Sequence, residues 1–224
     1  MLNILKFKEL SFLVYGLGLS GQSVIKFFKK NNITNYKVWD DKQSKLFKNK
    51  KSDNLNKTLS KVDYIVLSPG ISLKGKKNLI KFKKKIITDI DLLYLINKTF
   101  KSIVVTGTNG KSTTCKLISH LLKKNKFKVL LGGNIGTPIL DLKIKKNVHI
   151  VIEASSFQLS HSKFICPDYA FLLNITNDHL DWHGSMINYK NSKLKIFRLQ
   201  RKNQFALMNS KFKADQKLLP FDHF

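Results

Sequence analysis

The stretch Ile103-Val104-Val105-Thr106-Gly107-Thr108-Asn109-Gly110-Lys111-Ser112-Thr113 decides how this chain is read. An apolar β-branched run predicts a strand over 103–106, and two glycines with Asn109 predict a turn. A helix follows over 111–125, with Leu117, Ile118, Leu121 and Leu122 expected to face inward. A strand that turns directly into a helix aims unpaired backbone N–H groups at whatever sits on the turn, and those groups favour phosphate. Gly107, Thr108, Asn109 and Gly110 would cradle the phosphates, Lys111 would reach the terminal ones, and the Ser112 hydroxyl beside Thr113 would ligate Mg²⁺. Val105 stands where a standard phosphate loop has its first glycine. A helix-capping turn with a solvated lysine is the bland alternative, and Gly-Lys-Ser at a helix start after an apolar strand speaks against it.

Outward from that loop the same alternation repeats. Upstream, strands are predicted over 10–15, 36–39, 62–67 and 85–88, with helices over 22–30 and 89–97. In the helix over 22–30, Val24, Ile25, Phe27 and Phe28 are the expected inward residues. The lysine-rich stretch 42–61 reads as loop with weak helix. Downstream, strands are predicted over 148–152, 169–173 and 205–208, with a long helix over 186–199. Strand–helix alternation implies α/β architecture with parallel sheets. After Met208 the text turns to Asn-Ser-Lys-Phe-Lys-Ala-Asp-Gln and runs to Phe224 without another strand–helix pair, so the second unit is read as incomplete.

Three further clusters carry chemistry. Gly16-Leu17-Gly18-Leu19-Ser20-Gly21 lies between a strand and a helix, and Asp40 closes the next strand where a ribose-binding carboxylate belongs. This pattern alone fits a dinucleotide oxidoreductase, any other diphosphate ligand, or glycines that only permit helix–strand packing. Glu153 ends the strand over 148–152, where it could hold Mg²⁺ or cap the next helix. Asn174 to His183 packs two histidines and two aspartates at another strand end, without the cysteines of a zinc site.

The 224 residues carry a net charge of +27, with 41 Lys and Arg against 14 Asp and Glu. Only Arg198 and Arg201 are arginines, and the lysines are scattered through every segment, so a dedicated nucleic-acid surface is not expected. No apolar run is long enough to span a membrane, and no cleavage site follows the apolar stretch 10–19. Two cysteines without a secretion signal indicate a reducing compartment.

Taken in order, these motifs resemble the Mur ligase family. The loop 106–113 is the family mark. Gly16–Gly21, Ser68-Pro69-Gly70-Ile71, Gly132-Gly133-Asn134-Ile135-Gly136, Ser155-Ser156-Phe157-Gln158-Leu159 and Asp178-His179-Leu180-Asp181 resemble its D-glutamate-adding branch. The resemblance implies an α/β chain with an N-terminal Rossmann-like domain over 1–98 that binds a UDP-linked substrate. A P-loop-type central ATP-binding domain over 99–224 would follow, incomplete here, and the family's C-terminal domain would be absent. It implies ATP and Mg²⁺ as cofactors, with UDP-N-acetylmuramoyl-L-alanine and D-glutamate joined through an acyl phosphate.

The residue roles carried over by the resemblance are these. Gly18, Leu19, Ser20, Gly21, Asp40, Ser68, Pro69 and Gly70 would line the UDP pocket, with Asn134 near the reacting carboxylate. Lys111 would hold the γ-phosphate, Ser112 and Glu153 a first Mg²⁺, and His179 a second. Lys193, ending Tyr189-Lys190-Asn191-Ser192-Lys193, would be carbamylated and act as a carboxylate. The family usually has Ala at Ser192 and often Arg at Trp182. A cytoplasmic monomer is expected, unable to ligate D-glutamate as residues 1–224 alone. The alternatives are an inactive nucleotide-binding fragment of such a ligase, or a sibling ligase of the Mur or folylpolyglutamate type, adding another amino acid or acting on folates.

Overall fold

The computed structural model describes residues 4–42, 50–96 and 99–209. Among them two parallel sheets alternate with helices, as the sequence predicts. The first sheet has the order β2-β1-β3-β4, from β1 (Phe12–Tyr15), β2 (Tyr36–Trp39), β3 (Tyr64–Leu67) and β4 (Ile86–Ile87). All four β1 residues are buried, as a central strand covered on both faces requires. Helices α1 (Ile4–Glu9), α2 (Leu19–Lys30), α3 (Leu55–Lys61), α4 (Lys77–Lys81) and α5 (Asp89–Leu95) accompany it. In α2, Val24, Ile25 and Phe28 are buried, and Phe27 is only partly covered.

The second sheet has the order β6-β7-β5-β8-β9, from β5 (Lys101–Thr106), β6 (Val129–Gly133), β7 (His149–Glu153), β8 (Tyr169–Leu172) and β9 (Phe205–Met208). Here β5 is central and pairs with both β7 and β8. The loops leaving the C-terminal ends of these three strands therefore converge, the usual ligand position in a parallel sheet. Helices α6 (Lys111–Lys124), α7 (Ser156–His161), α8 (Leu180–His183) and α9 (Met186–Leu194) complete the described chain. None of the described helices is long and apolar enough to cross a membrane.

Several sequence expectations are corrected. Leu117 and Leu121 do not face inward: they are 55% and 50% exposed. The covered face of α6 is Cys115, Ile118, Ser119 and Leu122, the helical i, i+3, i+4, i+7 set. The long helix expected over 186–199 ends at Leu194 and continues as turns. Strand β6 and helices α1 and α4 were not expected, because each is short and α1 and α4 are rich in lysine. Within 42–61 the weak helix is α3, capped by the Asn54 side chain, while residues 43–49 lie outside the described part.

One continuous apolar core links the two sheets, running from Phe12, Val14 and Phe28 through Leu92, Leu93 and Phe100 to Val104, Ile150 and Ile152. Helix α5 sits at its centre, with all seven residues buried. Its Thr88–Asp91 capping box does more than close a helix end. The Asp91 carboxylate accepts from Ser162 Oγ at 2.6 Å, Lys163 N at 2.9 Å and Phe164 N at 2.7 Å, joining α5 to the loop after α7. Lys163 Nζ in turn donates to the Lys83 and Lys84 carbonyls.

Asp89 is buried beside it, and desolvation pushes its carboxyl up to about 6, against the Ile90 N–H and the Gln158 side chain. A carboxyl raised from 3.8 binds a proton on folding. Its stabilising contribution is complete below the unfolded value and is lost as pH rises through about 6. Asp89→Asn is therefore expected to flatten the stability profile between pH 4 and about 6 and to raise stability at pH 7 by about 1–3 kcal/mol. Urea unfolding across that range checks it, and an unchanged slope would refute it.

Candidate functional site

The phosphate-loop geometry begins with β5 ending at Thr106, whose hydroxyl donates to the Ala154 carbonyl at 2.8 Å. Gly110 takes a φ of 83°, which L side chains rarely adopt, and turns the chain into α6. The loop is held from β8: Thr108 N donates to Asn174 O at 3.0 Å, Asn109 N to Asn174 Oδ1 at 2.9 Å, and Asn174 Nδ2 to Asn109 O at 3.0 Å. From α9, the Tyr189 hydroxyl shares a hydrogen bond with Thr108 Oγ1 at 3.0 Å. Asn174 and Tyr189 were quoted in the sequence motifs without a role. Nothing in their spacing reveals that both clamp the loop, since the pairing of β8 with β5 creates the contact.

Two cations converge on this loop. Lys111 Nζ donates to the Gly107 and Thr108 carbonyls at 3.0 and 2.7 Å, and Lys193 Nζ donates to the same Gly107 carbonyl at 2.7 Å. Lys193 is 1% exposed and lies 4.5 Å from the centre of the Tyr189 ring. Burial, with Lys111 nearby, pushes its ammonium down to about 7. Two lysine side chains gathered on the backbone carbonyls of one loop match a loop that takes anions.

Glu153 ends β7 opposite the loop and is 2% exposed. Its carboxylate accepts from Ser112 Oγ at 2.7 Å on one oxygen and from Asn134 Nδ2 at 2.8 Å on the other. The sequence left Glu153 between a metal ligand and a helix cap. The cap of α7 is Ser155, which forms a capping box with Gln158, so Glu153 is not spent on that helix. No group of three or more His, Cys, Asp or Glu among the described residues could enclose a metal. A site of one carboxylate and one hydroxyl beside a phosphate loop instead fits Mg²⁺, which keeps several waters and takes substrate phosphates.

Asn134 also opens onto a cleft of about 440 Å³ between the two sheets. Its walls include Gly18, Leu19, Ser20, Asp40, Ser68, Pro69 and Gly70, so this part of the predicted pocket is assembled in one place. Asp40 Oδ2 accepts from Leu17 N at 2.7 Å, and Ser68 Oγ donates to the Gly16 carbonyl at 2.9 Å, fixing the turn. Gly21 does not line the cleft. It is buried behind the turn, where a methyl group would overlap the Gly16 carbonyl oxygen.

His179 lies in the loop between β8 and α8. Its backbone is left-handed, with φ 50°; its side chain is half exposed and faces Asp178 at 3.3 Å. Its ring lies 4.7 Å from Phe157 and 6.4 Å from Tyr189, the ring that Lys193 also approaches. His183, the second histidine of the 174–183 cluster, carried no individual role in the sequence. It is buried between Ser156 Oγ at 3.0 Å and Ser192 Oγ at 3.5 Å, and burial holds it down to about 4. A cavity of about 1160 Å³ lies at the opposite end of the second sheet near Lys101 and His149, and no predicted site residue lines it.

The profile of the Mur ligase middle domain matches residues 105–219, and that of the MurD-like N-terminal domain matches residues 10–88. The UDP-N-acetylmuramoylalanine–D-glutamate ligase of Rickettsia prowazekii (strain Madrid E) is 42% identical over 205 residues, covering 88% of this chain and 45% of the relative. The enzyme of the same name from Wolbachia pipientis wMel is 40% identical over 202 residues, covering 85% and 39%. The chain thus spans less than half the length of these relatives. The solved structure of UDP-N-acetylmuramate:L-alanyl-gamma-D-glutamyl-meso-diaminopimelate ligase (MPL) from Neisseria meningitides aligns over 93% of this chain and 74% of its own, with a TM-score of 0.53 and 17% identity, a likeness of fold. With the middle-domain profile matching more than half of its residues, the chain belongs to the Mur ligase family.

Proposed function

We propose that this chain carries the two nucleotide sites of an ATP-dependent ligase that joins D-glutamate to UDP-N-acetylmuramoyl-L-alanine in peptidoglycan precursor synthesis. Residues 1–98 form the UDP-substrate domain and 99–224 belong to the central ATP-binding domain. The observation that carries this reading is the continuous path Ser112–Glu153–Asn134, which links the phosphate loop to the inter-sheet cleft. A substrate carboxylate beside Asn134 would lie at the far end of the same carboxylate that faces the loop.

In this reading the N–H groups of 107–112 and Lys111 hold the ATP phosphates, with Ser112 and Glu153 as ligands of Mg²⁺. The bound metal supplies charge screening between the two anionic reactants. Gly18, Leu19, Ser20, Asp40 and the turn 68–70 hold the UDP end, and Asn174 and Tyr189 keep the loop in place. Lys193 suits the carbamate role because burial favours its neutral amine, the form that adds to carbon dioxide. His179, beside the same Tyr189 ring, is the candidate ligand of a second Mg²⁺.

Lys111→Ala removes a charge-assisted phosphate contact of about 1.5–3 kcal/mol, so Mg-ATP affinity should fall by about 10- to 150-fold. Calorimetry with the full chain measures it. Equal affinity in the variant would remove Lys111 from the site.

A further inference from the structure

Gln158 reaches the wall of the inter-sheet cleft from the second half of the chain, as Gly133 and Asn134 do. It is 3% exposed, so its amide must find partners within the protein. Its Oε1 accepts from Ser155 N at 3.1 Å and from Ser155 Oγ at 3.2 Å, as part of the α7 capping box. The two amide hydrogens are therefore on the other side, and one of them goes to the carboxylate of Asp89, which arrives from α5 in the first half. The opposite amide orientation would set two donors together at Ser155 N and two acceptors together at Asp89. Asp89 is itself held in place. Its Oδ1 accepts from Ile90 N at 3.0 Å, and it shares with Gly21 and Ser68 a gap behind the glycine turn that is too narrow for water.

We propose that Asp89 is a positioning residue for the substrate cleft: it holds the Gln158 amide so that its second Nε2 hydrogen is offered to an acceptor oxygen of the bound UDP-linked substrate. This role rests on the ligase reading given above. It places the orienting carboxylate in the first half and the donor in the second, so the cleft is correctly lined only while the two halves are seated against each other.

Calorimetry on the full chain with UDP-N-acetylmuramoyl-L-alanine, and separately with Mg-ATP, tests it. Asp89→Leu keeps a branched side chain and removes the acceptors, so it should weaken the UDP-linked substrate by about tenfold and leave Mg-ATP unchanged. Asp89→Asn keeps an acceptor oxygen for the amide and should bind the substrate as the parent does. Gln158→Glu preserves the capping box, which glutamate closes as well as glutamine, and removes the Nε2 donors. It should weaken the substrate at least as much, and it keeps the test decisive if Asp89→Leu does not fold. Adding Asp89→Leu to Gln158→Glu should cost little further, because the carboxylate acts only through that amide. Parent-like substrate affinity in either single variant, additive losses in the double variant, or an Asp89→Asn variant as weak as Asp89→Leu would each overturn the assignment. An equal loss of Mg-ATP affinity, the mark of general damage, would overturn it too. A parent chain that binds no UDP-linked substrate would instead sink the ligase reading of the cleft, and this role with it.

Discussion

Asp91→Ala should cost about 3–5 kcal/mol, the range found when one member of a buried hydrogen-bonded charge network is deleted. The loss is large because it is not confined to one helix cap. Thr88 N, Ser162 Oγ, Lys163 N and Phe164 N all donate to this carboxylate, and at the buried Thr88 and Ser162 the donors would be left in a region that water does not reach. Asp91→Asn keeps an acceptor in place and should cost much less. Urea unfolding of the two variants against the parent makes the comparison. A cost below about 1 kcal/mol for Asp91→Ala, the usual worth of a cap alone, would show that the bond network carries no load.

Gly21→Ala should be the most damaging change in the first nucleotide turn. A methyl group there overlaps the Gly16 carbonyl oxygen and stands 2.9 Å from the Gly16 carbonyl carbon, and both obstacles are backbone. No rotamer relieves that clash, so α2 must move away from β1, at about 3 kcal/mol, the upper end for overpacking. The displaced turn should also weaken the UDP binding proposed for the inter-sheet cleft. Gly18→Ala is the matched control for stability, because a methyl group there meets nothing within 4 Å. Chemical denaturation of the pair is the test, and equal losses would mean that the close approach at Gly21 is not what the turn depends on.

The architecture was legible because its signals are local. Apolar runs such as 12–15 and 101–106 bury all or nearly all of their residues, and glycine-marked turns follow them, so strand, turn and helix can be read without knowing what packs on them. The face of α6 was misjudged for the opposite reason. Four apolar residues span too wide an arc, and only the sheet beneath selects Ile118 and Leu122 over Leu117 and Leu121. The site follows the same division. Gly107 to Ser112 carry their chemistry in their spacing, whereas the role of Glu153 depends on a partner 41 positions away and that of Asn174 on one 65 away. His183 was read only as part of the 174–183 cluster, because a histidine among Asp, His and Trp gives no sign that it will be buried between two serines.

The core that runs unbroken from Phe12 to Ile152 also bears on how such chains can be recombined. A crossover placed near residue 98, between the two sheets, looks neutral in sequence. It would nonetheless set one parent's Leu92 and Leu93 against another parent's Ile150 and Ile152, and one parent's Asp91 against another's 162–164 segment. Chimaeras between relatives should therefore tolerate joints within exposed segments such as 74–78 better than a joint at the apparent border. The transferable module is α5 together with the segment after α7, two pieces of chain joined by residues 71 positions apart that travel as one.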